Sequence, residues 1–583
     1  MNKTHDLSPP NRYNRLTRNK LRETALEGHR HRGSGLFIGH PADAILIRRW
    51  RDGRVAEGAR LESVFTLTGN VGSNPTLSAI TYPPSPRKNS YARRMRPRQF
   101  FLVWRSKAAA TSPPARDTLG NMRNHGDVSM LGRELRALLA LAIPVILSEL
   151  GWVAMGIVDT IMVGRLGPEA IGAVGISSAS YYAPALFGIG ILLGLDTVVS
   201  QAWGRRDFEV CHQWLAQGVY LAVSYTPFAM LGIAAVPLLF GRFGINPAVA
   251  GPAAVYLHIL NLGTLPLLVY AAFRRYLQGV GRVRPVTFAL VSANLINWGG
   301  NWALIYGHLG LPAMGLKGSA VSTCLARVYM AAVLVFFAWQ HERRRGHPLF
   351  AHWPGPHWQQ LRALIRLGTP AAAQIVLEVG AFGVATLMAG RLTAEALAAH
   401  QIVLNCASTT FMVPLGMSAA AAVAVGHAIG AGDMPRARRA GWLALGSGAS
   451  FMALAACAFL LLPRPLLHIY TQDETVVLLG TRLLMLAAAF QIFDGIQTVA
   501  TGALRGAGET RQPMFVNLGG YWFFGLPLGY ALCFHGQQGI FGIWIGLTIS
   551  LIVIAIYLLW QWARAGRRLL TQIPRKVEAA AQS

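Results

Sequence analysis

Five acidic side chains lie inside long apolar stretches of the sequence: Glu149, Asp159, Asp196, Glu378 and Asp494. A charged group at the centre of a bilayer costs ~2.5 to 3.5 kcal/mol on insertion scales, so each of these acids needs a compensating role. A carboxylate in such surroundings can bind a proton or a monovalent cation, pair with an arginine, or do acid/base work.

The composition predicts an all-α membrane protein. Hydrophobic residues make up 53% of the chain and charged residues 13%. Twelve apolar segments each reach the roughly 20 residues that a bilayer requires, and a soluble fold could not bury them in succession with such short connections. They lie near 136–163, 171–203, 213–240, 251–272, 285–307, 313–340, 363–389, 397–429, 438–463, 475–503, 513–535 and 538–563.

These spans form two copies of one six-span plan, because matching residues recur 226 positions apart (370 − 144 = 226). The matching pairs include Pro144 and Pro370, Met162 and Met388, Gly164 and Gly390, Gly204 and Gly430, and Asp207 and Asp433. Asp159, Glu378 and Asp494 have no acidic counterpart in the other copy. They are therefore asymmetric additions to a symmetric frame, which makes them candidates for chemistry.

Arginine is concentrated at one set of span ends, for example at Arg343–Arg345 and at Arg567 and Arg568. The opposite ends carry few basic residues: Arg165, Arg242, Lys317, Arg391 and Arg464. Since basic residues near span ends stay in the cytoplasm, both termini are predicted to be cytoplasmic. Six spans per copy then give the two lobes one orientation, about a pseudo-twofold axis along the membrane normal.

Residues 1–121 are predicted to be a disordered basic extension, since they are rich in Arg, Pro and Ser and lack helical periodicity. A second hypothesis is that this segment is not translated, because Met122 and Met130 stand just before the first span. The other predicted divisions are an amino-terminal lobe (122–340), a cytoplasmic linker (341–362), a carboxy-terminal lobe (363–563) and a cytoplasmic tail (564–583).

Several function classes are disfavoured. The formal charge of +28 is explained by topology, and no nucleic-acid recognition motif accompanies it. The five cysteines have no metal-type spacing. No GxxxxGK[ST] sequence occurs, so an ion gradient is the expected energy source. We expect no cofactor, no nucleic acid and no required protein partner, only the lipid bilayer and a small molecule.

Three asparagines, Asn294, Asn297 and Asn301, share one face of the fifth span, being spaced i, i+3 and i+7. One hypothesis is hydrogen bonding between helices. The other is that Asn297 and Asn301 bond Asp159 and tune its affinity for a proton.

Glu149 and Asp196 are weaker candidates for the site. Glu149 lies ten residues before Asp159, about 80° around the helix, so the two need not meet. Asp196 is predicted toward the cytoplasmic half of the second span.

Together these stretches resemble the multidrug and toxic compound extrusion (MATE) family, in its NorM-like branch. The likeness covers about residues 131–563. It is carried by VDTIMVG (158–164), NWGGNWALIYG (297–307), GLKGSAVST (315–323), LEVGAFGVATLMAGRLTAEALAAHQIVLN (377–405) and FQIFDGIQTVATGALRGAGETRQP (490–513).

The resemblance implies a twelve-helix exporter in a bacterial inner membrane that exchanges Na⁺ or H⁺ for organic cations and other amphipathic compounds. It implies that Glu378 and Asp494 couple the cation, with Asp159 as the acid of the amino-terminal lobe and Asn297 and Asn301 beside it.

The same resemblance adds Phe490 and Asn405 as supporting residues. Phe490 stands where it implies a tyrosine, so the choice between Na⁺ and H⁺ stays open.

Three other functions are alternatives for a chain of this composition. A lipid-linked sugar flippase would be expected to have a basic central cavity. An intramembrane enzyme would need a nucleophile and base that the sequence does not offer. A channel is disfavoured because two lobes are not a ring of identical pore elements.

Overall fold

The computed structural model describes residues 119–571, apart from 243–244, 347–348 and 350–352, and of the side chains of 119–129 nothing is described. The predictions for residues 1–118 and 572–583 lie outside these residues. Within the described part every regular element is helical, as the composition predicts.

The amino-terminal lobe contains eight helices that form six spans. In chain order they are α1 (Leu119–Gly164), α2 (Pro168–Ile191), α3 (Gly194–Gly204), α4 (Phe208–Ala235), α5 (Pro247–Leu262), α6 (Thr264–Gly279), α7 (Arg284–Tyr306) and α8 (Leu316–Arg344). Helices α2 and α3 together make the second span. Helices α5 and α6 make the fourth, bent by 45°.

The carboxy-terminal lobe repeats this plan. Its helices are α9 (Trp358–Ala389), α10 (Ala394–Gly430), α11 (Met434–Leu461), the short α12 (Pro463–His468), α13 (Glu474–Gly506), α14 (Arg511–Asn517), α15 (Leu526–Tyr530) and α16 (Ile540–Thr571). Two π-helical turns, Leu518–Gly525 and Ala531–His535, join α14 and α15 into one span.

Twelve membrane-spanning helices in two six-helix lobes therefore make up the fold. Among the described residues, nine helical stretches are long and apolar enough to cross a membrane when α2 and α3 are counted as one, and the bent pair α5 and α6 makes ten. The remaining two spans, α7 and the span from Arg511 to His535, do not meet this criterion for local reasons. Helix α7 carries three asparagines, and the span from Arg511 to His535 is interrupted by its π-helical turns.

The duplicated acids of the repeat have a structural task. Asp207 caps α4 by accepting a hydrogen bond from the amide of Val210 at 3.3 Å. Its counterpart Asp433 caps α11 by accepting from the amide of Arg436 at 3.0 Å. Both satisfy a backbone donor that a helix start leaves free, which agrees with the idea that duplicated residues belong to the frame.

The first helix of each lobe begins in the opposite lobe. Leu138 and Ala142 of α1 belong to the hydrophobic core of the carboxy-terminal lobe. Leu364 and Ala372 of α9 belong to the core of the amino-terminal lobe. Leu138 and Leu364 are a repeat pair (364 − 138 = 226), so this exchange obeys the internal symmetry.

Small residues let the lobes approach closely at the arginine-rich end. A Cβ at Gly368 of α9 would overlap the carbonyl oxygen of Ile191 in α2, and one at Gly204 would overlap that of His427 in α10. Glycine permits backbones to touch in this way.

Polar contacts between the lobes lie at the same end. Thr197 Oγ1 donates to the Arg505 carbonyl at 2.5 Å, and Gln201 Nε2 donates to the Gly506 carbonyl at 3.0 Å. Arg439 Nη2 lies 2.9 Å from Glu134 Oε1. These contacts close the arginine-rich end of the space between the lobes.

We expect Gly368→Val to destabilise the protein by about 1–3 kcal/mol, because the new side chain overpacks the contact with Ile191. Gly383→Val on the same helix is the matched control, since a Cβ there meets nothing within 4 Å. Thermal unfolding of the purified proteins measures the difference. Equal unfolding midpoints would contradict close packing of the lobes at this point.

Candidate functional site

The two acids of the carboxy-terminal lobe lie together in its interior. Glu378 of α9 is half-buried, and its Oε1 accepts a hydrogen bond from Gln497 Nε2 of α13 at 2.9 Å. Asp494, one turn earlier on α13, is 5% exposed and interacts electrostatically with both Glu378 and Gln497. Two carboxyl groups therefore share one amide, and their remaining oxygens can accept a proton or a cation.

Polar side chains continue along the same face of α13. Gln491 Nε2 donates to Thr410 Oγ1 at 2.7 Å, and Thr501 Oγ1 accepts from Gln374 Nε2 at 3.4 Å. Residues 491, 494, 497 and 501 recur every three or four positions and so share one helical face. This row anchors α13 to α9 and α10 on either side of Asp494.

Aromatic rings lie one helical turn from each acid, at Phe382 after Glu378 and at Phe490 before Asp494. Phe490 packs edge-on against Phe382, with 6.0 Å between ring centroids, and against Trp544 at 5.8 Å. Trp544 Nε1 in turn donates to His400 Nδ1 at 3.1 Å. Phe490 is 2% exposed and packs within this aromatic cluster.

Tyr521 brings a hydroxyl to the acid pair that the sequence analysis did not identify. It is fully buried, and its ring lies 6.1 Å from that of Phe382. It interacts electrostatically with Glu378 and Asp494. Its hydroxyl has no hydrogen-bond partner among the described atoms. A buried hydroxyl of this kind is costly to leave unsatisfied, so it is available to a ligand at the acids.

Asp159 is held by a separate network in the amino-terminal lobe. Asn301 Nδ2 donates to its Oδ1 at 2.6 Å, and Thr323 Oγ1 donates to its Oδ2 at 3.1 Å. Asn297 joins this network through Asn301 and Thr323, at 3.4 Å from each. Asn294 instead donates to the Gly151 carbonyl at 3.0 Å. Asn301 and Asn297 therefore belong to the Asp159 network, whereas Asn294 makes a hydrogen bond to the backbone of another helix.

Arg327 interacts electrostatically with Asp159. Its guanidinium carbon lies 4.5 Å from the centroid of the Tyr181 ring, and its Nη1 donates to the Tyr181 hydroxyl at 2.7 Å. The ring contact and the hydrogen bond fix the arginine, and its positive charge partly balances the charge of Asp159.

Glu149 and Asp196 lie in ion pairs with arginines. Glu149 pairs with Arg274. Asp196, 1% exposed, has Oδ2 at 3.5 Å from Arg275 Nη1 and 3.4 Å from Arg505 Nε. Because Arg505 belongs to the other lobe, Asp196 links the lobes at their closed end, and the structure does not bring it to Glu378.

Asn405 is exposed on α10, and no hydrogen bond given for the described residues joins it to the acid pair. Sequence reasoning also passed over Gln497 and Thr323. Gln497 could have been found, since it lies three positions after Asp494 and therefore on the same face. Over the described ranges no group of three or more His, Cys, Asp or Glu residues could hold a metal ion.

Comparison with known proteins shows which family this chain belongs to. The MatE family model matches twice, at residues 144–303 and 370–531, once in each lobe. A "probable multidrug resistance protein NorM" of Mesorhizobium japonicum is 37% identical over 446 residues, which is 75% of this chain and 95% of the relative. The multidrug resistance protein PmpM of Pseudomonas aeruginosa is 34% identical, over 76% of this chain and 94% of the relative.

Solved structures agree on the fold. The crystal structure of the eukaryotic MATE transporter AtDTX14 superposes with a TM-score of 0.67 at 22% identity, over 76% of this chain and 99% of that one. At this identity the likeness concerns the arrangement of helices alone.

The hydrogen bond between Asn301 and Asp159 is testable by a double-mutant cycle. We expect Asn301→Ala and Asp159→Ala to show a coupling free energy of about 0.5–2 kcal/mol in unfolding, because each removes the other's partner. The matched control cycle pairs Asn294→Ala with Asp159→Ala and should show no coupling, since the described hydrogen bonds of Asn294 go to backbone carbonyls. Equal coupling in both cycles would contradict the network.

Proposed function

This chain belongs to the MATE family, and from that premise we propose that it is a multidrug efflux transporter driven by exchange for Na⁺ or H⁺. The observation that carries the proposal is the pair Glu378 and Asp494, which share Gln497 inside the carboxy-terminal lobe. Carboxylates without an arginine partner can be neutralised by an incoming proton or cation. Organic cations and other amphipathic compounds are the proposed substrates.

We propose the orientation that the charge asymmetry of the span ends predicts. The chain lies in a bacterial inner membrane with both termini on the cytoplasmic side. The space between the lobes is closed at the arginine-rich end by Asp196, Arg505 and the glycine contacts. In that orientation the state described here is closed to the cytoplasm and accepts ions from outside. Opening of the cytoplasmic end requires that the Asp196–Arg505 pair separate.

Exchange follows from competition for the acid pair. An ion that enters from outside neutralises Glu378 and Asp494, and a cationic drug held by the same charges is released. The two ligands therefore weaken each other's binding reciprocally. One elementary charge moving through 100 mV yields ~2.3 kcal/mol, whereas a tenfold gradient of a neutral solute needs ~1.4 kcal/mol. One ion per cycle is sufficient for export.

Tyr521 is proposed as a further oxygen ligand of the coupling ion. It supplies a hydroxyl from a different helix, where Phe490 has none. Its position in a π-helical turn supports this role, because such turns often occur at functional sites.

The flippase remains the rival in the same transport class. A flippase is expected to have a basic centre, whereas the carboxy-terminal lobe holds the acid pair Glu378 and Asp494, and Arg327 is engaged by Tyr181 and Asp159. Transport of an organic cation, with no transport of a lipid-linked sugar, separates the two functions.

Glu378→Gln combined with Asp494→Asn is expected to abolish gradient-driven transport, because neither residue can then gain or lose a charge. The assay is uptake or efflux of a fluorescent organic cation in liposomes with an imposed Na⁺ or pH gradient. Glu169→Gln combined with Glu474→Gln is the matched control, since these two acids are exposed at helix starts. Transport that persists unchanged in the first variant would refute the coupling site.

Tyr521→Phe is expected to raise the ion concentration for half-maximal transport about tenfold, the effect of losing one hydrogen bond near a charge. Tyr530→Phe in the same span is the control, since Tyr530 is exposed. The concentration dependence, measured separately for Na⁺ and H⁺, identifies which ion uses the hydroxyl. An unchanged dependence for both ions would remove Tyr521 from the site.

A further inference from the structure

A cavity lies at the arginine-rich end of the amino-terminal lobe, outside the proposed transport site. Its volume is about 470 Å³, and it is formed where the ends of α3, α6 and α8 meet the start of α7. Three arginines line it: Arg282, Arg344 and Arg345. Three positive groups around one cavity at the membrane surface favour an anionic ligand.

Arg345 is fixed in place with an unused donor. Its guanidinium carbon lies 3.9 Å from the centroid of the Phe208 ring and 4.5 Å from that of Trp203. Its Nη1 is buried and has no hydrogen-bond partner among the described atoms. Stacking holds the planar group while Nη1 keeps unused N–H donors, and a guanidinium fixed in this way suits the binding of a phosphate.

The acid closest in sequence does not neutralise the cavity. Glu342 is 1% exposed and turned toward the protein interior, where Tyr276 donates to it at 2.8 Å and His212 Nε2 lies at 2.9 Å. His341, which lines the cavity, lies 3.7 Å from the same carboxylate. No ion pair within the described residues involves the three cavity arginines, so their charge remains available.

An aromatic strip leads from the cavity along the membrane-facing surface. Phe337 lines the cavity, and its ring lies 5.8 Å from Phe288 and 5.7 Å from Phe336 between centroids. Phe288 is 54% exposed and Phe336 is 50% exposed, on α7 and α8. An anionic head bound at the arginines could therefore lay a hydrocarbon chain on this strip, which a free phosphate could not use.

We propose that this cavity binds an anionic phospholipid from the leaflet at the arginine-rich end. The phosphate accepts hydrogen bonds from Arg345, Arg344 and Arg282, and one acyl chain lies on Phe337, Phe288 and Phe336. The site requires only that the chain is embedded in a bilayer. The lipid site therefore does not depend on the transport function proposed above.

The test measures binding of phosphatidylglycerol to the purified full-length protein in detergent, by native mass spectrometry at increasing lipid concentration. The combined variant Arg282→Gln, Arg344→Gln and Arg345→Gln is expected to bind at least tenfold more weakly than the original protein. The matched control is Arg362→Gln, Arg366→Gln and Arg567→Gln, which removes three exposed arginines outside the cavity and is expected to bind normally. Equal loss in both variants would overturn the proposal, since it would reflect general surface attraction.

A second pair of measurements separates a lipid from a free anion. Phe288→Ala combined with Phe336→Ala is expected to weaken phosphatidylglycerol binding several-fold through lost chain contacts. Inorganic phosphate is expected to displace the lipid only at concentrations at least a hundredfold higher. Displacement by phosphate at equal concentration would overturn the proposal. If the triple variant fails to fold, Arg282→Gln with Arg344→Gln serves in its place, since both residues are exposed; binding unchanged in that variant would contradict the site.

Discussion

A carboxylate inside a membrane needs a partner that offsets the cost of burying its charge. This chain provides three kinds of partner, and they distinguish the parts of the molecule. Glu149 and Asp196 are paired with buried arginines. Asp159 is held by asparagine and threonine donors. Glu378 and Asp494 share one glutamine and have no arginine partner in the described structure. This last arrangement is the one that we propose for the exchangeable cation.

The symmetric frame and the asymmetric acids do different work. Residues that recur across the two copies cap helices, as Asp207 and Asp433 do, or allow close packing, as Gly204 and Gly430 do. These functions are needed equally in both lobes. The acids occur once, so the two lobes have the same shape but different chemistry. The internal repeat thus provides the shared frame, and the substitutions within it provide the residues of the proposed site.

Sequence alone predicted the helical fold and the twelve spans, because hydropathy is a local property. Helical spacing also placed the asparagines of the fifth span on one face, but the contact of Asn301 with Asp159 was only one of two hypotheses, since the two residues are on different helices. The family resemblance implied that Glu378 and Asp494 act together. Tyr521 could not be found in this way, since it reaches the acids from another span through a π-helical turn. The pairing of Asp196 with Arg505 was equally hidden, because 309 positions separate them (505 − 196 = 309) and only tertiary packing brings them together.

The exchange of helix ends between lobes has a consequence for how the chain is made. Leu364 and Ala372 complete the core of a lobe whose own spans precede them. The ribosome therefore releases six spans into the bilayer before the side chains that finish their packing have been synthesised. Until α9 inserts, Gly190 and Gly194 lack the neighbours that later cover them. The amino-terminal lobe can therefore complete its packing only after α9 has been made, and a nascent chain stalled after its sixth span exposes a surface that membrane quality control can recognise.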